Sequence, residues 1–237
     1  MSIQRIGIIG DVHSEHSLLR SALEHLHREG VDTILCTGDL TDGPGNLDTC
    51  VNLLTQYQVK TVRGNHDRWV LENKARHIEN AHHLQDLSEA TRHYLHTLPT
   101  QIEVETPQGL LLLCHGVLAN DLQKIWPGTA RMPAERSPQL DRLIDQQKYS
   151  IMINGHVHYR TIIHFQNLLL INAGTLMRRH HPGFSMLDLY NQQIIGYEFE
   201  PNIHRVKTQS MMPCHNTDVF TNTQHFDGKW TPITLYA

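Results

Sequence analysis

Apolar and polar positions alternate along the first third of the chain in blocks that suit a parallel α/β sheet. Apolar runs predict three buried strands: Ile3–Ile9, Val31–Cys36 and Val59–Val62. Two amphipathic stretches between them predict helices, one capped by Ser14 and closed by Gly30, the other spanning Leu47–Tyr57. Units of this kind form parallel sheets with right-handed crossovers, and binding sites lie beyond the carboxyl ends of their strands.

The pattern shifts toward shorter strands in the second half. Residues 68–98 are polar with a helical period, residues 121–136 predict a surface loop over the site, and Pro138–Lys148 predicts a helix. The predicted strands of this half are Ile102–Val104, Leu110–Cys114, Ile151–Ile153, Thr161–Phe165, Leu168–Ile171, Phe184–Leu189 and Ile194–Phe199. Residues beyond Pro201 have little periodicity and predict an extra edge segment or a docked tail.

The composition fits a globular α/β protein. The chain has 237 residues, of which 39% are hydrophobic and 19% charged, with a formal net charge of -4. This balance does not favour an extended nucleic-acid surface, although a local phosphate site remains compatible with it. The cysteines form no Cys-x-x-Cys pair, the chain opens directly in a strand pattern, and no apolar run approaches the roughly 18 residues of a membrane helix. We therefore expect a soluble cytoplasmic protein with no membrane partner, and the sequence leaves its oligomeric state open.

Five short motifs place Asp, Asn and His side chains directly after apolar strands. They are Asp11-Val12-His13, Gly38-Asp39, Gly64-Asn65-His66-Asp67, His115-Gly116 and Gly155-His156-Val157-His158. Taken singly, each is explained as a turn, a helix cap or a pair of surface histidines. Taken together, all five would fall on one sheet edge, and Asp, Asn and His are ligands for a borderline divalent metal.

The motif order suits two adjacent ions. Two ions roughly 3.5–4 Å apart need a carboxylate that bridges them, and Asp39 is central in the order. Alternate residues of an extended strand point to opposite sides, so a loop that curls at Asp11 or His156 is needed to aim both members of a pair at the ions. The motifs therefore predict a dinuclear metal site.

This set of motifs resembles the signature of the calcineurin-like metallophosphoesterase superfamily, which is Asp-x-His, Gly-Asp, Gly-Asn-His-Asp/Glu, His and Gly-His-x-His. The resemblance runs from Asp11 to His158, and the turn Asn172–Thr175 is similar to a further family feature. It implies an α/β fold, namely a four-layer α/β/β/α sandwich of two mixed sheets, over residues 1–200. Residues 201–237 would form a C-terminal extension docked on the same domain.

The resemblance also implies a ligand set for two divalent metal ions. The first ion would be held by Asp11, His13, Asp39 and His158, and the second by Asp39, Asn65, His115 and His156. Manganese is the first expectation, with iron, zinc, nickel, cobalt and magnesium as alternatives. A hydroxide shared by the ions would attack phosphorus in line.

Two further residues are implied in catalysis. His66 directly follows Asn65, and the resemblance gives it the role of general acid or of stabilising the transition state, because a leaving alkoxide needs a proton or a nearby positive group. Asp42 stands at the offset where related phosphatases place an acid that orients this histidine. A plain turn residue before Gly43-Pro44 explains Asp42 equally well.

Departures from the family pattern bear on the substrate. Phosphoprotein phosphatases of the superfamily carry arginine after the acid that matches Asp42 and glutamate after the motif histidine, whereas this chain has Gly43 and Asp67. The missing arginine removes a phosphate clamp. The stretch from Leu87 to Pro99 resembles the small prokaryotic phosphodiesterase and diadenosine-tetraphosphatase-like branch.

We therefore expect a phosphodiesterase acting on small-molecule or nucleotide phosphoesters. A phosphomonoesterase acting on protein or nucleotide, and a non-enzymatic scaffold of the same fold, are the alternatives. The cationic run Arg178–His181 could bind a second phosphate or a nucleotide, although a solvated loop explains it more simply. Trp69 and Trp126 could stack a base, but core packing is the default for each. Arg131 and Arg136 are undecided in the same way.

Overall fold

Two β-sheets carry the fold in the computed structural model, which describes residues 3–74, 77–199 and 202–237. The strands are Arg5–Ile9 (β1), Thr33–Cys36 (β2), Lys60–Thr61 (β3), Gln101–Thr106 (β4), Gly109–Cys114 (β5), Ile151–Asn154 (β6), Arg160–Phe165 (β7), Leu169–Ala173 (β8), Gly183–Asp188 (β9), Gln193–Glu198 (β10), His204–Ser210 (β11), Val219–Phe220 (β12) and Ile233–Thr234 (β13). The α-helices are His16–Arg28 (α1), Leu47–Gln56 (α2), Asn65–Leu71 (α3), Glu89–Thr97 (α4) and Pro138–Gln146 (α5).

Both sheets are mixed, as the resemblance implies. The first sheet has the order β11-β10-β9-β1-β2-β3, with β1, β2 and β3 parallel and β9 antiparallel to β1. The second has the order β12-β7-β8-β6-β5-β4, with β13 paired to β7. Its strands β5, β6 and β8 are parallel, β4 is antiparallel to β5, and β7 is antiparallel to β8 and parallel to β12.

Three hydrophobic layers separate the elements, because side chains along each strand alternate between its faces. Ile6 and Ile8 of β1 join Leu111 of β5 in a core between the two sheets. Ile9 faces the other way and packs with α1, α2 and α4. Leu112 packs with α5 on the far side of the second sheet. The order of layers is therefore helices, sheet, sheet, helix, which confirms the predicted α/β/β/α sandwich.

Two of the predicted helix features are wrong. Helix α1 begins at His16 with Glu15 at its N-cap position, so Ser14 does not cap it. Ser14 is instead drawn into the preceding motif loop, where its φ is 56° and its hydroxyl donates to the Leu40 carbonyl at 3.1 Å. Residues 68–98 do not form one helical region either, since α3 ends at Leu71 and α4 begins only after its cap Ser88. Residues 75 and 76 of that stretch lie outside the described residues.

The C-terminal residues supply strands that the sequence pattern did not predict. Strand β11 extends the first sheet, while β12 and β13 pair with β7 of the second. The proposed boundary between residues 200 and 201 lies outside the described residues, so the division into a domain and an extension stays a prediction. None of the described helices is long and apolar enough to cross a membrane.

Arg160 fastens the end of the chain to the first sheet. Its side chain is 1% exposed, and its Nη1 donates to the carbonyl oxygens of Tyr197 at 2.9 Å and Leu235 at 2.7 Å. A third carbonyl, that of Phe184, lies 3.3 Å away, and Nη2 donates to Glu198 at 3.2 Å. Burial lowers the pKa of Arg160 to about 10, although Glu198 opposes that effect.

Replacing this arginine is expected to destabilise the whole fold. The Arg160→Met variant keeps the aliphatic bulk but leaves buried carbonyls and Glu198 without their donor, which should lower the free energy of unfolding by about 3–5 kcal/mol. Urea unfolding followed by circular dichroism measures this difference. The exposed Arg142 of α5 provides a matched control as Arg142→Met. If the free energy of unfolding fell by the same small amount in both variants, Arg160 would have no special role in stability.

Candidate metal centre

The carboxyl ends of strands from both sheets bring the predicted ligands together. Ligand atoms lie within 4.8 Å of one another in three sets: Asp11 with His13 and His158, His13 with Asp39 and His66, and Asp39 with His115 and His156. Asn65, the remaining predicted ligand, places Oδ1 at 2.9 Å from His115 Nε2. Asp39 and His13 each belong to two of these sets, so the three sets are connected.

The expectation of one sheet edge needs a correction. The first three motifs follow β1, β2 and β3 of the first sheet, whereas the last two follow β5 and β6 of the second. The two edges meet where Asp11 pairs with Thr175 in an isolated parallel bridge. There the Asp11 amide donates to Gly174 at 3.1 Å and the Leu176 amide donates to Asp11 at 2.9 Å. Two sheet edges joined in this way form a single floor for the site.

Left-handed backbone turns the motif side chains inward. Among the predicted ligands, φ is 44° at His13, 47° at Asp39, 68° at His156 and 63° at His158. Such a conformation costs roughly 1–3 kcal/mol at a residue other than glycine and is found mainly at functional sites. The curl predicted at His156 is thus present. It allows His156 and His158, two residues apart, to face the same centre.

The two central carboxylates are buried and held by several donors. Asp11, 0% exposed, accepts a hydrogen bond from the Thr37 hydroxyl at 2.9 Å and one from the His156 amide at 2.9 Å. Asp39, 1% exposed, accepts from the His66 amide at 2.8 Å. Each carboxylate therefore has one or both oxygens fixed in direction, which is the arrangement that rigid metal ligands need.

Backbone carbonyls orient two of the histidines. Nδ1 of His13 donates to the Thr41 carbonyl at 3.0 Å, and Nδ1 of His115 donates to the Thr37 carbonyl at 2.7 Å. A protonated Nδ1 leaves Nε2 with the lone pair that binds a metal. Nε2 of His13 lies 3.2 Å from Nε2 of His158, and Nε2 of His115 lies 3.3 Å from Asp39 Oδ2.

The charge balance of the centre calls for cations. Burial opposes ionisation of Asp39, but the neighbouring His115 outweighs it and holds the pKa of the carboxyl well below its usual range. Burial likewise opposes protonation of His115, yet Asp39 and Asp11 raise the pKa of that imidazole to about 10. The pKa of His156 falls to about 4 because of burial and the charge on His115. Ionised buried carboxylates thus draw positive charge into the centre.

These donors fit a pair of divalent ions. Carboxylate oxygen, amide oxygen and imidazole nitrogen are the ligand types that suit manganese, iron, zinc and their neighbours. Asp39 and His13 lie together in the set that links the other two, so the donors form one connected cluster. A cation that replaced the proton on His115 would satisfy the same buried carboxylates.

His66 and Asp42 are paired at the rim of the centre. His66 Nδ1 donates to Asp42 Oδ2 at 2.6 Å, and the two side chains are 12% and 5% exposed. Burial raises the pKa of Asp42, but the hydrogen bonds and positive charge from His66 and His82 lower it more. The pKa of Asp42 is therefore below its usual range. Of the two explanations for Asp42, the geometry therefore favours an acid that orients His66, while its left-handed φ of 63° shows that it is also a turn residue.

Three further residues hold the predicted site residues or their loops in place. His82 donates its amide to Asp42 Oδ1 at 2.8 Å and accepts the Asp42 amide at Nδ1 at 2.9 Å. His180 places Nδ1 at 2.7 Å from His158 Nδ1. Asp67 is fully buried and accepts the amides of Leu40 and Gly64. Asp67 lies within a motif, and His180 belongs to the run Arg178–His181 that the sequence analysis named as a candidate phosphate site, but no sequence signal marks His82.

Gly43 leaves no room for the arginine of the phosphoprotein phosphatases. A Cβ atom at this position would lie 1.7 Å from the His13 carbonyl oxygen. The backbone of the predicted ligand His13 therefore leaves space only for glycine at position 43, where the phosphoprotein phosphatases have arginine.

The Gly43→Ala variant is expected to displace His13 and to weaken metal binding by about 10–100-fold, the range seen when the support of a ligand is lost. Competitive titration with a metal indicator measures this affinity. Gly30 has a left-handed φ of 70° and no atom within 4 Å of a new Cβ, so Gly30→Ala controls for backbone strain at a side chain that makes no close contact. Equal metal affinity in the two variants would contradict the close contact.

The remaining candidates fall at different places. Trp126 is 4% exposed and packs against Trp230 in the core, as the default explanation predicts. The ring of Trp69 lies 5.1 Å from that of His66, beside the centre. Arg136 donates to the Phe226 carbonyl at 2.6 Å and is structural.

The loop Arg178–His181 borders the centre. His180 contacts His158, and Arg178 donates to Glu15 at 3.2 Å. The predicted surface loop 121–136 contacts α3, where Asp121 accepts from Arg68 at 2.7 Å.

Comparisons with known proteins agree with this geometry. Residues 4–192 match the model of the calcineurin-like phosphoesterase superfamily domain. A segment of 71 residues is 38% identical to serine/threonine-protein phosphatase 2 of Escherichia coli strain K12, covering 29% of this chain and 32% of that protein. In the curated relatives that match, the aligned part spans less than a third of their length, 27% and 32%.

Solved structures share the fold at low sequence identity. The phosphoesterase Yfce from E. coli superposes with a TM-score of 0.55 at 18% identity, covering 88% of this chain and all of that one, 100%. An archaeal phosphodiesterase superposes with a TM-score of 0.53 at 20% identity, covering 81% of this chain and 98% of that one. These likenesses support the small-phosphoesterase architecture.

Proposed function

The chain belongs to the calcineurin-like phosphoesterase superfamily, and from that premise we propose that it is a phosphodiesterase that uses two divalent metal ions. The proposed ligands of the first ion are Asp11, His13, Asp39 and His158, and those of the second are Asp39, Asn65, His115 and His156. His66 is the proposed catalytic residue, with Asp42 as its positioning partner. The substrates are small-molecule or nucleotide phosphoesters.

The linkage of three ligand sets through shared members carries this proposal. Asp11, His13 and His158 form one set and Asp39, His115 and His156 another, and His13 and Asp39 lie together in a third set with His66. A buried cluster of this kind has no role in packing, because its carboxylates and imidazoles lose hydration without gaining apolar contact. Bound divalent ions would supply acidified water and the positive charge that phosphoester hydrolysis requires.

The chain's own residues would then bind and orient the ester. His66 stands on the first turn of α3, and its Nδ1–H bond to Asp42 stabilises a positively charged ring. A charged imidazole there can donate a proton to the leaving oxygen or stabilise its negative charge. His82 holds Asp42 from the opposite side, so His66 has a fixed direction.

The charge around the centre supports a diester rather than a monoester. A monoester dianion needs strong cationic clamps, and Gly43 excludes the usual arginine by its contact with His13. The nearby guanidinium group of Arg178 is already paired with the buried Glu15. A diester carries a single negative charge and depends less on such clamps.

We further propose that the protein is cytoplasmic and that the ions it binds are manganese. All four cysteines are free thiols, and Cys36, Cys50 and Cys114 are buried, as suits a reducing compartment. Mixed nitrogen and oxygen ligands accept several metals, so availability decides which one is bound.

A substrate panel with metal reconstitution tests the proposed function. Protein stripped with a chelator would be reloaded with Mn, Fe, Zn, Ni, Co or Mg and assayed with bis-p-nitrophenyl phosphate and p-nitrophenyl phosphate. We expect turnover that depends on added metal and a higher kcat/KM for the diester. No turnover with any metal would refute the enzyme and favour the scaffold.

The partial likeness to a protein phosphatase defines the second candidate. Serine/threonine-protein phosphatase 2 of E. coli shares 38% identity over 71 residues. A phosphopeptide in the same panel, cleaved faster than the diester, would favour this monoesterase.

A further inference from the structure

Four rings from separate parts of the chain form a row beside the metal centre. Successive centroids are 5.7 Å apart between Trp126 and Tyr159, 6.5 Å between Tyr159 and Tyr236, and 5.2 Å between Tyr236 and His181. We call these four residues the aromatic row. The rings of Tyr236 and His181 are stacked at an interplanar angle of 15°. Tyr159 is 37% exposed, so the row includes a large aromatic side chain that is accessible to solvent.

A cavity connects the metal centre with this row. Its volume is about 360 Å³, and it is lined by His156, Val157, His158, Tyr159 and Arg179–His181. The lining therefore begins at two proposed metal ligands and ends at two members of the aromatic row. Its size falls within the usual range of small-molecule sites, roughly 300–1,000 Å³.

The last residues of the chain hold the row in place. Leu235 donates its amide to the Arg160 carbonyl at 2.8 Å and accepts Arg160 Nη1 at 2.7 Å. Ala237 donates to Glu198 at 3.1 Å. Tyr236 is thus fixed on both sides by residues tied to the sheets. A rigid aromatic surface loses little entropy when a ligand stacks on it.

A cationic side chain also lines this cavity. Arg179 lines the cavity, and its Nη2 donates to Glu79 at 2.8 Å. The two side chains are 74% and 70% exposed, and an exposed ion pair of this kind is weak. A phosphate can replace Glu79, because guanidinium groups bind phosphate in a two-pronged way.

We infer that the aromatic row and Arg179 form a nucleoside subsite, in which a base stacks on Tyr159 or His181 beside the phosphate that is cleaved. The inference rests on the proposed function and narrows its substrate to nucleoside 5′-phosphoesters. Every base has a face that stacks on an aromatic ring, so the subsite tolerates different bases. The net charge of -4 argues for a mononucleotide or dinucleotide ester over a polymer.

Two esters with the same leaving group test the subsite on the metal-loaded protein. Thymidine 5′-(p-nitrophenyl phosphate) carries a nucleoside, and methyl p-nitrophenyl phosphate does not. We expect the nucleoside ester to have the higher kcat/KM, and the ratio of the two values to fall on the order of tenfold in Tyr159→Ala and in Tyr236→Ala. Tyr159→Phe and Tyr236→Phe keep the rings and should keep the ratio.

Controls separate stacking from damage to the fold. A loss of folded protein lowers both rates equally and leaves their ratio unchanged. Tyr190 is 82% exposed and follows β9, so Tyr190→Ala is the matched control. If the alanine variants at 159 and 236 kept the wild-type ratio, the subsite would be refuted while the proposed hydrolase stood.

A binding measurement keeps the two proposals distinguishable. Titration calorimetry compares AMP with ribose 5-phosphate, which differ only in the base. We expect AMP to bind about tenfold tighter and Tyr159→Ala to remove the difference. That result in a protein without hydrolase activity would support the subsite and refute the proposed function. Equal binding of the two ligands would overturn the subsite.

Discussion

The Asp39→Asn variant is expected to lose nearly all hydrolase activity. The substitution keeps the shape of the side chain but removes the negative charge of a carboxylate that belongs to two of the three ligand sets. Loss of a bridging ligand should remove several kcal/mol of transition-state stabilisation, which corresponds to about 10³-fold or more in kcat. The variant should also retain fewer metal ions after desalting, as measured by inductively coupled plasma mass spectrometry.

A matched substitution shows whether the effect belongs to the site. Asp145 is an exposed carboxylate on α5, and Asp145→Asn should keep full activity and metal content. Thermal unfolding of both variants checks that the fold is intact. An Asp39→Asn protein with wild-type turnover and wild-type metal content would exclude Asp39 as the bridge.

The His66→Gln variant is expected to lower kcat while leaving the metal content unchanged. The imidazole lies at the rim and is held by Asp42 at 2.6 Å, so its loss removes a proton donor or positive charge and keeps the seven proposed ligands. Removal of a general acid typically lowers the rate by about 10²–10⁴-fold. Steady-state kinetics with excess metal measures the effect.

The leaving group reveals what His66 does. An alkoxide needs a proton far more than p-nitrophenolate does, so a general acid is worth more with an alkyl ester. We expect His66→Gln to slow an alkyl diester more than bis-p-nitrophenyl phosphate. Asp42→Asn should show the same pattern with a smaller loss, since it acts through His66. Equal losses for both esters would point to charge stabilisation instead of proton transfer.

The sequence predicts the site because its local context is strong. Each ligand follows a short apolar strand, and strands of that kind end at a common floor once the sheets pack. The apolar run of the first strand also predicts a strand that is buried on both faces of its sheet. In the structure Ile6 and Ile8 pack on one face of that sheet and Ile9 packs on the other. The order of the motifs predicts Asp39 as the bridging ligand, and Asp39 belongs to two of the three ligand sets.

Other features depend on contacts that local patterns do not encode. Ser14 has the composition of a helix cap, yet the motif loop draws it to Leu40. His82 and His180 lie in polar segments with no period, and only tertiary packing brings them to Asp42 and His158. The position of Tyr236 depends on Arg160, which donates to the carbonyl of the preceding residue, Leu235. Nothing in the sequence around Arg160 indicates that this arginine is buried.

Anomalous diffraction from crystals grown with manganese shows whether two ions share the Asp39 carboxylate. We expect two peaks roughly 3.5–4 Å apart, with a carboxylate oxygen of Asp39 in contact with both. The flanking ligands should be Asp11, His13 and His158 around one peak, and Asn65, His115 and His156 around the other. A single peak, or none at this floor in crystals that hold manganese elsewhere, would contradict the dinuclear centre.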